Sequence, residues 1–227
     1  VVRDQIGKGA DFIKIYADYR WGPEGEDRPS FTVNEMKTVH DIATSSGRYF
    51  VAHAKSVEAI RRAVLAGAET IEHGDFIDTA TGRLMKEHHV TYIPTIAAVD
   101  MISQYRGWVK GSTPEPERVT IKKKSFKAAI ASGVSIGMGG DVGVFPHGNN
   151  VLEMELMVEY GMKTMDVLKA ATSVNSRAFH LDKSVGFIKA GLKADIIIAE
   201  GNPAENISSL RSILFVMKDG KVYRNEK

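Results

Sequence analysis

The feature that most constrains the fold is a regular alternation of short apolar runs with helical segments. Runs rich in β-branched and aromatic residues occupy residues 12–17, 49–53, 69–73, 91–96 and 134–138. The second, third and fourth runs begin 20 and 22 residues apart, which is close to the shortest spacing for a strand, a turn, a helix and a return. Such units pack as parallel strands with right-handed crossovers. The pattern predicts an α/β fold, either a (β/α) barrel or a doubly wound sheet.

The helical segments carry recognisable ends. Thr32 stands three residues before Glu35, which is the spacing of a capping box. Ser56 precedes a second apolar stripe, which ends at Gly67. A glycine at this position commonly follows the last residue of a helix. Helices are predicted over residues 32–46, 56–66, 78–89, 116–132, 150–160, 164–172 and 176–181.

The alternation stops after Gly139, because the helical segments that follow have no strands between them. Residues 194–199 predict a buried strand, and residues 213–217 and 221–223 predict a hairpin that turns at Asp219 and Gly220. Three short strands make a poor domain alone, so these strands are expected to pair with further strands. Residues 21–30 and 111–117 are the two loops long enough to act as lids.

Composition excludes several classes of function. Thirty Lys and Arg against 28 Asp and Glu leave a formal charge of +2, so no basic footprint for nucleic acid or an anionic membrane is present. The absence of Cys excludes disulfides, thiolate catalysis and Cys-based zinc sites. No apolar stretch approaches the roughly 20 residues that span a bilayer. The compartment is left undecided, with the cytoplasm as the default, because an export signal could precede Val1. Homo-oligomerisation is left open.

Candidate chemistry lies at the predicted strand ends, which face the active site in a barrel. Two runs end at His53 and His73, and the last leads through a glycine-rich turn to Asp141. Parallel neighbours stand about 5 Å apart, so the two imidazoles are expected to reach shared ions. Zinc accepts imidazole and carboxylate ligands readily. An aspartate beside them suits a metal ligand that also accepts the proton of a metal-bound water.

Lys14 lies within the first strand, on one of two faces that a parallel sheet normally covers. A desolvated lysine has a shifted pKa and commonly a chemical task. Two tasks fit: a Schiff-base nucleophile, or an amine that reacts with carbon dioxide to give a metal-bridging carbamate. A lysine at the mouth of the strand that extends its ammonium group to solvent, with no chemical task, is the alternative.

Other residues are weaker candidates. Lys55 and His147 are predicted to line the substrate pocket, although Lys55 can equally be solvated. The remaining histidines, at positions 40, 88, 89 and 180, are predicted to be structural or exposed.

The order strand-Lys, strand-His, strand-His, strand-Asp resembles the amidohydrolase superfamily, in its imidazolonepropionase-like and Xaa-Pro-dipeptidase-like branch. The segments that carry the resemblance are GADFIKIYA, VAHAKSVEAIRRAVLAGAETIEHGDFID, IGMGGDVGVFPHGNN and a tail in which Gly186, Gly191, Ala194 and Asp195 match G-x-I-x-x-G-x-x-A-D.

The resemblance implies a (β/α)8 catalytic barrel, of which residues 1–185 would form the C-terminal part, and a small β-sandwich domain, of which residues 186–227 would form part. It also implies two divalent metal ions, zinc by preference. It implies that Lys14, as a carbamate, bridges the ions, that His53 and His73 bind the second, and that Asp141 binds the first and serves as general base. A metal-bridging hydroxide would then attack the carbonyl of a small amide, dipeptide or cyclic amide.

One departure from the family is plain. The family begins with an H-x-H pair on its first strand, and no H-x-H occurs here. We therefore expect strands four to eight of the barrel, in a chain that is roughly the C-terminal half of a protein of about 400 residues. Two alternatives to the hydrolase stay open: a Schiff-base lyase or aldolase that uses Lys14, and a truncated, catalytically incomplete piece.

Overall fold

The computed structural model describes residues 1–226. Its α-helices are α1 Val2–Gly7, α2 Val33–Ser45, α3 Val57–Leu65, α4 Thr79–Glu87, α5 Ile96–Tyr105, α6 Glu117–Ser132, α7 Val151–Glu159, α8 Thr164–Lys169 and α9 Asn175–Ala178. Its strands are β1 Ile13–Tyr16, β2 Asp18–Arg20, β3 Asp27–Pro29, β4 Phe50–Ala54, β5 Thr70–His73, β6 Thr91–Ile93, β7 Ser135–Ile136, β8 Ile196–Ala199, β9 Ile213–Lys218 and β10 Lys221–Asn225. A π-helical turn, Ala170–Val174, joins α8 to α9, and a 3₁₀ turn occupies Ile207–Arg211.

The chain divides into two compact units. The first comprises residues 1–94 and 107–136, and the second residues 95–106 and 137–227. These bounds cut the chain elsewhere than at residue 185, so the division into a catalytic and a β domain stays a prediction. None of the described helices is long and apolar enough to cross a bilayer.

The first unit is built on a parallel sheet of five strands in the order β1-β4-β5-β6-β7. All four pairings are parallel, as the spacing of the apolar runs predicts. Helices of the unit pack on the sheet, and Phe50, Ile71, Tyr92 and Phe126 are fully buried between the layers.

The capped helices form as predicted. Thr32 and Glu35 make the reciprocal hydrogen bonds of a capping box at the start of α2. Ser56 accepts the backbone N–H of Ala59 at the start of α3.

Three local predictions in this unit were wrong. The fourth apolar run ends as a strand at Ile93, because Pro94 has no N–H for the ladder. Residues 21–30 are not simply a loop, because β2 and β3 pair across residues 21–26 as an antiparallel hairpin. Lys14 is not desolvated: 43% of its side chain is exposed, and Tyr16 on the same face is 54% exposed. The prediction failed because the described residues leave this face of β1 partly open to solvent, where a complete layer of packing would bury it.

The second unit combines helices α5, α7, α8 and α9 with an antiparallel sheet in the order β10-β9-β8. The predicted hairpin is confirmed, with Asp219 (φ 51°) and Gly220 (φ 76°) both left-handed at its turn. The prediction of a buried strand at residues 194–199 was wrong. Ile197 and Ile198 are 55% and 53% exposed, because β8 is an edge strand of only three described strands.

Candidate metal centre and active site

His53 and His73 belong to neighbouring strands, but their positions do not match. In β4 and β5, His53 pairs with Glu72 and Ala54 pairs with His73. Partners in register share a face of the sheet, so His53 lies on the face of Glu72 and also of Tyr16. A regular strand would send the side chain of His73 to the opposite face. The prediction of matching strand ends is therefore wrong by one residue.

A backbone turn corrects this offset. His73 has a φ of 74°, in the left-handed region that non-glycine residues rarely occupy. The turn brings its imidazole against that of His53, with ring centroids 4.3 Å apart and planes at 63°. Tyr16 stacks on the other side of His53 at 4.4 Å. The structure thus brings the two predicted histidines together. It does so through a backbone turn that the pattern of apolar runs does not predict.

Both imidazoles are held in their neutral form. Burial lowers the pKa of His53, and the carboxylate of Asp18 only partly opposes this. Burial, followed by the neighbouring His53 and Lys122, lowers the pKa of His73 to about 3. A neutral imidazole has a lone pair available, which is the state in which histidine binds a metal ion.

Asp18 is a residue of this site that the sequence analysis missed. Its side chain is fully buried, and its Oδ2 accepts the backbone N–H groups of Lys55 and Ser56 and the hydroxyl of Ser56 at 2.7–2.9 Å. Its Oδ1 lies 3.7 Å from His53 Nε2, and neither buried atom has a hydrogen-bond partner. An acidic residue directly after the apolar run of residues 12–17 was a signal that could have found it.

Lys14 lies on the same face of the sheet as His53, two residues before Tyr16. Its Nζ is 3.9 Å from Glu72 Oε2, in a pair that is half exposed on the lysine side. Burial raises the pKa of Glu72, although its bond from Thr70 and the charge of Lys14 oppose this. Lysine, two imidazoles and a carboxylate therefore border one stretch of the sheet.

These residues fit a divalent cation. His53 offers a buried ring nitrogen without a partner, and both rings are neutral. Among residues 1–226 no group of three or more His, Cys, Asp or Glu side chains stands at metal-binding distances. The two imidazoles thus supply two ligands, fewer than the four that a zinc ion commonly takes.

The predicted pocket residue Lys55 is engaged within the protein. Its Nζ donates to Asp27 Oδ1 at 2.8 Å, and both side chains are largely buried. Its proposed contact with substrate stays a prediction. The other histidines vary: His88, His89 and His180 are exposed, whereas His40 packs edge-on against Phe50.

Asp141 belongs to the second unit, where its side chain is exposed. Its backbone is in the left-handed region, with a φ of 60°. The segment before it is fixed from two sides. Asn175 Oδ1 accepts the N–H of Met138 and its Nδ2 donates to the carbonyl of Met138, while Thr95 N donates to Gly139 O.

His147 is exposed in the loop after Asp141. The nearby Asn149 Oδ1 accepts a hydrogen bond from Arg211 at 2.9 Å. Nothing in the described contacts assigns His147 a ligand, so its role stays a prediction.

The sequence model of the amidohydrolase family matches residues 2–223. The chain belongs to the amidohydrolase family. Among curated proteins, ochratoxinase of Aspergillus niger is 31% identical over 98% of this chain. Among solved structures, a Xaa-Pro dipeptidase with bound methionine is 33% identical, with a TM-score of 0.87 over 98% of the chain. A prolidase complexed with N-methylphosphonate-L-proline is 27% identical, with a TM-score of 0.84 over 99%.

These similarities confirm the predicted family and fold class. The parallel sheet with its helices is the later part of a (β/α)8 barrel, and the antiparallel sheet is part of a β sandwich. The chain spans 48% of ochratoxinase and 57% of each of the two structures. It thus spans about half the length of the curated relatives it matches.

Proposed function

We propose that the polypeptide containing this chain is a metal-dependent hydrolase of amide C–N bonds in small molecules. One observation carries the proposal. Two neutral imidazoles, His53 and His73, lie in ring contact on the sheet face that also presents Lys14. Membership of the amidohydrolase family supports it.

His53 and His73 would hold one divalent ion, with zinc the best match for imidazole ligands. Lys14, as a carbamate, and Asp141 would complete a site for two ions. When bound, such ions polarise a carbonyl and lower the pKa of water toward 7.

Lys14 becomes a ligand by a balanced reaction. Nζ would lose one proton, form a bond to the carbon of carbon dioxide and release a second proton, which leaves a carbamate with two oxygens. The exposure of the side chain gives carbon dioxide direct access to Nζ. The pair with Glu72 must then separate, because the product carries a negative charge.

Asp141 would accept the proton of the attacking water and pass it to the leaving nitrogen, which departs as a neutral amine. Its exposure suits this exchange. The hydrogen bonds that fix Met138 and Gly139 hold the backbone beside it in one conformation.

The substrate class is proposed from the relatives. A Xaa-Pro dipeptidase, a prolidase and an ochratoxinase all match over nearly the whole chain. We therefore place a dipeptide or another C-terminal peptide bond first, and a cyclic amide second. Lys55 and His147 are the proposed contacts to substrate.

The test uses the natural polypeptide that contains this chain. We expect it to hydrolyse members of a panel of dipeptides and cyclic amides, to lose this activity to a chelator, and to regain it with zinc. Asp141→Asn should lower kcat by at least 100-fold, the lower range for loss of a positioned acid–base group. His147→Asn separates proton transfer from binding, because it should change KM more than kcat.

The Schiff-base alternative predicts a different outcome. A lyase would keep full activity after chelation, and borohydride would trap substrate on Lys14. Either result would contradict the hydrolase proposal.

A further inference from the structure

The imidazole of His73 reaches His53 only because its backbone leaves the strand conformation. The register of β4 and β5 assigns the two side chains to opposite faces. Two consecutive left-handed residues, His73 at φ 74° and Gly74 at φ 56°, reverse this. A non-glycine residue keeps such a conformation only where its surroundings impose it.

The carbonyl groups of this turn accept hydrogen bonds from side chains of helix α6 and strand β6. Lys122 Nζ on α6 and Tyr92 Oη on β6 both donate to the carbonyl of His73, the latter at 2.9 Å. Ser125 Oγ, one helical turn beyond Lys122, donates to the carbonyl of Gly74 at 2.7 Å. We call Tyr92, Lys122 and Ser125 the turn clamp.

Lys122 is the unusual member of the turn clamp, because its side chain is completely buried. Burial alone would lower the pKa of Lys122, but the carboxylate of Asp75 and the hydroxyl of Tyr92 raise it above its ordinary value. Asp75 Oδ1 accepts from Lys122 Nζ at 2.8 Å, so the ammonium is paired. Buried lysines are costly, and an apolar side chain would fill this space more cheaply.

The three hydrogen bonds of Lys122 explain why a charged side chain is buried here. They join the carbonyl of His73, the carboxylate two residues later and the hydroxyl of Tyr92. An apolar residue would fill the volume and leave the turn free to relax toward the regular strand.

We propose that Lys122 is a positioning residue, which fixes the left-handed turn at His73 and thereby presents its imidazole beside that of His53. The predicted effect on metal binding rests on the proposed function. The predicted contact between the two imidazole rings is independent of it.

The test replaces Lys122 with methionine, which has similar length and no charge, and compares it with Phe126→Leu. Phe126 is fully buried on the same helix, so its variant reports general loss of packing. Proton NMR of the metal-free natural polypeptide that contains this chain should show a ring-to-ring nuclear Overhauser effect between His53 and His73, because the centroids are 4.3 Å apart. We expect Lys122→Met to lose it and Phe126→Leu to keep it.

Zinc affinity supplies the second readout. Loss of groups that orient a ligand typically weakens metal binding by about 10-fold to 100-fold. We expect a loss in that range for Lys122→Met and less than about 3-fold for Phe126→Leu. If the wild-type chain shows the ring contact but binds no zinc, the metal site proposal fails and the positioning role stands.

Two results would overturn the inference: a ring contact that survives in Lys122→Met, or one lost equally in Phe126→Leu. Should Lys122→Met fail to fold, Tyr92→Phe removes one hydroxyl of the turn clamp and keeps the Lys122–Asp75 pair. That variant should weaken the ring contact, and an unchanged contact would again contradict the proposal.

Discussion

Gly74 lies where the turn at His73 meets the interior of the first unit. A Cβ built on it would stand 2.5 Å from Ile77 Cδ1 and 2.6 Å from Tyr92 Cε2, and its φ is 56°. Both neighbours are buried, so neither moves aside at low cost. The close approach of this backbone to Tyr92 is what allows the turn clamp to form.

Gly74→Ala is therefore expected to destabilise the protein by roughly 2–4 kcal/mol, from overpacking and left-handed strain together. Gly111→Ala is the matched control, because Gly111 has a φ of 83° and nothing within 4 Å of its added Cβ. It should cost only about 1 kcal/mol. Urea unfolding measures both free energies, and equal losses would show that the contacts of Gly74 do not matter.

Single residues also mark the limit of what the sequence could predict. His53 and His73 were predictable because each closes an apolar run. Lys122 was not, since it stands in a run of three lysines that is typical of a solvated helix face. Only the packing of α6 against the sheet shows which of the three is buried.

Among the elements, α3 has the clearest electrostatic signature. Glu58 near its start accepts hydrogen bonds from Arg61 and Arg62 at 2.7–3.1 Å. These bonds lower the pKa of Glu58 to about 2. A carboxylate near a helix N-terminus also interacts favourably with the helix dipole.

Glu58→Gln should lower the free energy of unfolding by roughly 0.5 kcal/mol near neutral pH, because the carboxylate is 43% exposed and largely screened. A depressed pKa contributes stability above the unfolded value of about 4.5, which is lost as pH falls toward about 2. The two proteins should therefore converge between pH 4.5 and 2. A difference that stays constant over this range would contradict the assignment.

Elements with polar caps and amphipathic stripes were predictable, as α2 and α3 show. Helix α5 was not predicted, because six of its ten residues are buried and it has no polar stripe to set the period. The β2–β3 hairpin was missed because its strands carry Asp, Arg and Pro rather than alternating apolar residues.

At the scale of the whole molecule, the family and fold class followed from the order of four motifs. The exposure of side chains in the two sheets did not follow from those motifs. β1 and β8 both expose side chains that a covered sheet would bury, and the chain spans about half the length of its curated relatives. Local propensity predicts which secondary structure a segment favours. It carries no information about which other strands and helices pack on that segment.

The most direct test of the metal site is the zinc bound per polypeptide after dialysis, measured by elemental analysis. The wild type is compared with His53→Asn/His73→Asn, and the control is His88→Asn/His89→Asn, which changes two exposed histidines. We predict equal zinc in the wild type and the control, and at least one ion fewer in the His53/His73 variant. Equal zinc in all three, or none in the wild type, would contradict the account.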